Sequence, residues 1–171
     1  MARRLPISCA ISGSFAHKET IDATHAAFLR YGVTVLQPDP GAQRTGKLYI
    51  PSQEDVRQYG SNTEPVWALE EEVGLSVREI EDRFLRAVAQ ATLLYVVAPG
   101  GYYGRSSAFE IGFAHGLDKP IYSSEPLQLR DDDPQGVSRA ILSGVRIMNV
   151  PDVVADISEQ YAIASGELII P

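Results

Sequence analysis

Glu110 is the one charged side chain in the run Ala108-Phe-Glu-Ile-Gly-Phe-Ala114, just beyond a glycine-rich turn, Gly100-Gly-Tyr-Tyr-Gly-Arg-Ser-Ser107. A carboxylate turned inward among apolar residues loses hydration, its pKa rises, and groups so placed cluster at functional sites. One chemistry open to it is glycosidic cleavage. That reaction passes through an oxocarbenium-like state, which a carboxylate below the anomeric carbon stabilises and can capture. A departing base then needs a proton from a second acid. A purely local role is also available. If Ser107 is the N-cap, Ser107-x-x-Glu110 is a capping box, and the helix dipole favours an anion there. Helical geometry points elsewhere: stepping 100° per residue sets Glu110 among Phe113, Ala114 and Leu117, the stripe expected to face a sheet.

The turn before Glu110 has further resources. Its glycines, Gly101 and Gly104 among them, permit close backbone approach, and Tyr102 and Tyr103 can stack on a ring or fill core. Ser106 and Ser107 stand at the expected helix start, where an anion would be favoured. A second candidate loop is Ser12-Gly13-Ser14-Phe15. Its backbone N–H groups and hydroxyls suit a phosphate or a sugar; equally, it is a strand-to-helix turn in which Gly13 supplies an unusual dihedral.

These residues must be positioned by the elements around them. Apolar strand-sized runs alternate with helical patterns, the signature of a parallel α/β sheet. Strands are expected at Ile7–Ile11, Val33–Gln37, Thr92–Ala98, Lys119–Ser123 and Val145–Asn149. Helices are expected at about Lys18–Tyr31, stopped by Gly32, and from the capping box Ser76-Val-Arg-Glu79 to about Ala91. Three more follow: one after Gly104, a short one near Val137–Leu142, and one at about Val153–Ser165. The pattern predicts a flavodoxin-like three-layer sandwich with a five-stranded parallel sheet, formed as a single domain over residues 1–171. The stretch at about 38–75 is rich in Gly, Pro, Ser and Gln and is expected to be an irregular insertion or lid. In such a sheet ligands bind outside the carboxyl ends of the strands near the switch in strand order, where both candidate loops should meet.

Bulk properties narrow the partners. A net charge of −7, from 15 basic and 22 acidic residues, repels phosphate polymers and disfavours a nucleic-acid track. No apolar run approaches a membrane span, and the start lacks the apolar core of a signal peptide. The lone Cys9 cannot form an internal disulfide. A reduced, cytoplasmic protein is expected. The acidic runs Glu70–Glu72 and Asp131–Asp133 read as solvated surface rather than metal sites, so no metal or cofactor is expected.

The run Gly104-Arg-Ser-Ser-Ala-Phe-Glu-Ile-Gly-Phe-Ala-His-Gly-Leu-Asp-Lys-Pro120 resembles the segment of nucleoside 2-deoxyribosyltransferases that carries their glutamate, and Ser12-Gly-Ser-Phe15 resembles the first loop of that superfamily, which includes deoxynucleoside monophosphate N-glycosidases. The resemblance implies an enzyme acting on a nucleoside or nucleotide, with Glu110 as nucleophile. It also implies Ser106 or Ser107 against sugar or phosphate, and a homodimer or larger assembly completing the pocket. The chain departs from the family pattern twice. The family's assisting aspartate aligns near Phe84, so Asp82 is the candidate acid, off the apolar stripe of its helix. The turn carries Gly101-Tyr102-Tyr103 where relatives often place an aspartate. Hydrolysis, or a different substrate, therefore gains weight over base exchange. Two other readings remain open. One is a nucleotide-binding or sensing module without turnover. The other is a phosphoribohydrolase of the cytokinin-activating type, which Pro99-Gly-Gly…Gly104…Glu110 resembles more loosely.

Overall fold

The structure is a computed structural model that describes residues 7–14, 17–37, 47–49, 66–68, 75–128 and 139–164. Seven strands and five helices follow one another in it: β1 (Ser8–Gly13), α1 (Lys18–Arg30), β2 (Thr34–Gln37), β3 (Lys47–Tyr49), β4 (Val66–Ala68), α2 (Val77–Gln90), β5 (Leu93–Val97), α3 (Arg105–Gly116), β6 (Ile121–Ser123), α4 (Arg139–Leu142), β7 (Arg146–Ile147) and α5 (Val150–Ala164). Five strands form one parallel sheet in the order β2-β1-β5-β6-β7. The remaining two, β3 and β4, pair antiparallel as a separate ribbon inside the stretch read from sequence as irregular. Most of that stretch, with both acidic runs and Phe15, lies outside the described residues.

The strands are apolar on both sides because helices cover both faces. Alternate residues of β5 divide between two cores. Leu93, Tyr95 and Val97 point with Cys9 and Ile11 toward α1 and α5, meeting Ile21, Phe28, Val153 and Ile157. Leu94 and Val96 point with Ala10 toward α2 and α3, meeting Val88, Ala108, Ile111 and Ala114. Three layers result, the fold class expected. Burial pushes the Cys9 thiol well above its ordinary range, so the lone cysteine serves as a small core residue. Among the described residues no helix is long and apolar enough to cross a membrane.

Local signals hold where the chemistry is strong. Ser76 caps α2 reciprocally: Glu79 N donates to Ser76 Oγ at 3.3 Å, and Ser76 N donates to Glu79 Oε2 at 2.8 Å. Gly32 ends α1 at φ 75°. Two expectations fail. Helix α3 begins at Arg105 with Gly104 as N-cap, so Ser107 lies in the first turn and the capping box with Glu110 does not form. Its buried residues are Ser107, Ala108, Ile111 and Ala114, whereas Leu117 is exposed. At 100° per residue the inward stripe is centred about 90° from Glu110, which stands on its flank.

Chain order places the switch point between β1 and β5, because β2 follows β1 on one side and β5 lies on the other. The turn after β5 is pinned there. Gly100 and Gly101 adopt φ 66° and 79°, Gly101 N donates to Ala98 O, Gly100 N donates to Glu125 Oε2 at 2.9 Å, and Gln128 N donates to Gly101 O at 3.0 Å. A Cβ at Gly101 would stand 2.6 Å from Pro126 O, whereas one at Gly100 would meet nothing. Gly100→Ala should therefore cost only the left-handed strain, about 1 kcal/mol. Gly101→Ala adds a backbone clash and should cost about 2–4 kcal/mol. Urea unfolding of the two variants checks this, and equal losses would contradict the packing described.

Candidate active site

The β1 loop and the β5 turn meet at the carboxyl edge of the sheet. Ser12 shares its side of β1 with Ala10, so its hydroxyl faces the α2–α3 layer. It is 1% exposed, and Val96 is its partner in β5. Across that junction Ser12 Oγ donates to Glu110 Oε2. Gly13 does not supply an unusual dihedral here, contrary to one reading of the loop, since its φ is not positive. It is small for another reason: a Cβ would stand 2.9 Å from Val97 O. The close approach of β1 to β5 sets the reach of Ser12.

Glu110 is half-buried by surface area, open on one side yet densely surrounded by protein. Its carboxyl is pushed up from the usual 4.5 to about 7. Burial is the main cause, the Ser12 hydroxyl partly opposes it, and the Glu81 carboxylate adds to it. Glu81 is solvent-accessible on α2, and its own carboxyl is also held above its usual range, first by the protein around it and then by Asp82. A carboxyl poised near neutrality can be ionised for attack while carrying little hydration.

The other sequence candidates fall at different depths. Ser107 is buried at 3%, while Ser106 and Tyr102 are exposed at the opening of α3. Gly104 is the N-cap of α3, so the first N–H groups of the helix open beside Ser106. Tyr103 is 4% exposed in the α2–α3 core, packed with Ala108 and Ile111, so of the two tyrosines only Tyr102 has a ring at the surface. Ser14 is half-buried, and its carbonyl accepts from His17 N at 2.8 Å as the chain turns into α1. Asp82 is exposed and pairs with Arg78 at 3.8 Å.

Two neighbours of the site escaped the sequence reading. Glu81 could have been found from periodicity: at 100° per residue it lies about 40° from Val77 on the apolar stripe, whereas Asp82 lies about 140° away. His17 was concealed as an apparent loop residue. It is the N-cap of α1 yet makes no side-chain capping bond, and its ring stands against that of Tyr102, centroids 6.4 Å apart at 69°.

No family model and no curated protein matches the chain. Among solved structures, a 2-deoxyribosyltransferase from the psychrotolerant bacterium Bacillus psychrosaccharolyticus is similar at 13% identity and a TM-score of 0.48, over 85% of this chain and 89% of that one. A conserved protein from Enterococcus faecalis V583 is similar at 12% identity and a TM-score of 0.47, over 91% of this chain and 99% of that one. The likeness is one of chain path alone.

The raised carboxyl has a thermodynamic consequence whose sign is fixed. The folded state favours protonated Glu110, so that contribution is complete below pH 4.5 and is lost as pH rises through 7. Glu110→Gln is neutral throughout and escapes the loss. Relative to wild type the variant should gain up to about 3 kcal/mol on going from pH 4 to pH 8. Denaturant midpoints across that range measure it, and a pH-independent difference would show that Glu110 is not desolvated.

Proposed function

We propose that the protein cleaves or transfers the N-glycosidic bond of a nucleoside or nucleotide, with Glu110 as nucleophile. The observation that carries this reading is a desolvated carboxylate at the switch-point crevice, held by the Ser12 hydroxyl from the neighbouring strand. Ionised Glu110 attacks the anomeric carbon; a C–O bond forms, the C–N bond breaks, and its electron pair stays on the base nitrogen, which takes a proton. Water or a second base then displaces the carboxylate. Asp82 was the sequence candidate for the assisting acid. The coupling of Glu81 to Glu110 favours Glu81 as the assisting carboxyl instead. The first-turn N–H groups of α3, with Ser106 and Ser107, suit the sugar or a phosphate. Ser12, Gly13, Ser14 and the Gly101–Gly104 turn would form the remaining walls.

A pocket that binds a nucleotide without turnover is the second reading, favoured by the engagement of Asp82 with Arg78 at the surface. Incubation with a panel of 2′-deoxynucleosides and their 5′-monophosphates, with chromatography for free base, separates the two. On the enzyme reading base is released, and Glu110→Gln lowers the rate at least about a thousandfold. Binding without release, or an active Glu110→Gln, would sink it.

Because the attacking carboxyl must be ionised, kcat/KM should rise with pH on a limb centred near 7. Glu81→Gln removes the neighbouring charge and should move that limb toward lower pH, whereas Asp82→Asn should move it less. A limb that stays in place in the Glu81 variant would remove Glu81 from the site. The same reading takes the protein as a homodimer or larger assembly acting on a small molecule. Sedimentation at micromolar concentration checks the assembly, and a monomer would count against it.

A further inference from the structure

Two contacts cross the switch point at different depths. Ser12 and Glu110 join the β1 and β5 sides at the floor, where Ser12 is 1% exposed. His17 and Tyr102 join them again at the rim, where Tyr102 is 43% exposed and His17 half-buried. We propose that His17 and Tyr102 form the base-recognition corner of the crevice, taking the planar heterocycle of the ligand while Glu110 faces its sugar; this rests on the glycosidic reading above.

The geometry of the pair supports that division. Rings inclined at 69° with centroids 6.4 Å apart make a corner rather than a sandwich. A planar ligand ring can lie against one of them and meet the edge of the other. A phenol and an imidazole both carry hydrogen-bonding atoms on their edges, so the corner offers polar recognition as well as stacking. The imidazole is available for this because it does no capping at α1. The backbone N–H of His17 donates to Ser14 O at 2.8 Å. Tyr102 leaves the pinned glycine turn on the solvent side, while its neighbour Tyr103 is committed to the core. Stacking of a nucleobase on an aromatic side chain is worth roughly tenfold or more in affinity.

The test uses the full chain carrying Glu110→Gln, so that bound nucleotide is not consumed, and calorimetry with two probes. One is the set of four 2′-deoxynucleoside 5′-monophosphates; the other is 2-deoxyribose 5-phosphate, which lacks a base. His17→Ala and Tyr102→Ala should each weaken the nucleotides about tenfold and leave the sugar phosphate within about twofold. His17→Asn, which keeps a polar edge, should recover part of the loss. Circular dichroism and thermal midpoints confirm that the variants fold. Unchanged nucleotide affinity in both variants, or equal weakening of both probes, would overturn the corner while leaving the role of Glu110 intact. Absence of base release by wild type together with no binding of either probe would overturn the glycosidic reading, and the corner with it.

Discussion

The hydrogen bond from Ser12 to Glu110 is the point on which the arrangement of this site depends. It joins the penultimate residue of a central strand to a helix that follows a different strand, 98 residues later. Several features must agree for it to form. Ser12 has to fall on the α3 side of β1, which the two-residue period decides. Gly13 has to let β1 approach β5, which a Cβ would oppose. The turn from Pro99 to Gly104 has to start α3 at Arg105, so that Glu110 arrives on the flank of its buried stripe. Had Ser107 been the N-cap instead, Glu110 would have been a capping residue bound to its own helix.

That flank position explains why the carboxyl lands near neutrality rather than far from it. At the centre of the stripe, where Ile111 and Ala114 are fully buried, an ionised carboxylate would meet the full penalty of desolvation. On the exposed side it would keep its ordinary value. Between them, burial raises it, a single neutral hydroxyl draws it part of the way back, and the Glu81 charge lifts it again. Among the described residues no cation contributes, and an ion pair would have fixed the carboxylate in its charged form. The site holds a carboxyl that can exchange its proton within the ordinary working range, which suits acid–base and nucleophilic chemistry better than structural pairing.

The sequence made the fold legible because its elements are built on strong local chemistry. The Ser76 capping box, the stop at Gly32 and the apolar run of β5 each speak for themselves in a window of a few residues. Glu110 was legible for the same reason, as a charge isolated in an apolar helix. What could not be read was the phase of that helix. The start of α3 is set by the glycine turn and by Glu125 and Gln128, which lie beyond the helix in the chain. The approach of His17 to Tyr102 was equally invisible, since it brings together two loops that only the sheet makes neighbours. Glu81 was legible but passed over: alignment drew attention to Phe84 and Asp82, whereas the helical wheel puts Glu81 at the edge of the apolar stripe.

The two tyrosines show how little backbone is needed to divide labour within one turn. Tyr102 and Tyr103 are adjacent, and in an extended stretch adjacent side chains point to opposite sides. Tyr102 has the extended dihedrals φ −75° and ψ 131°, so the chain leaves the left-handed Gly100-Gly101 pair in a conformation that must send one ring inward and the other outward. Which goes where is fixed by the pinning of Gly101 against the segment after β6. The inward ring, Tyr103, fills the core behind α3 and steadies the helix that carries Glu110. The outward ring stands opposite His17 at the crevice mouth. On the glycosidic reading proposed above, an aspartate in place of the tyrosines would have offered a charge to the base. On that same reading the turn offers an aromatic surface instead, and recognition by such a surface depends on ring shape more than on the donor and acceptor pattern of one particular base.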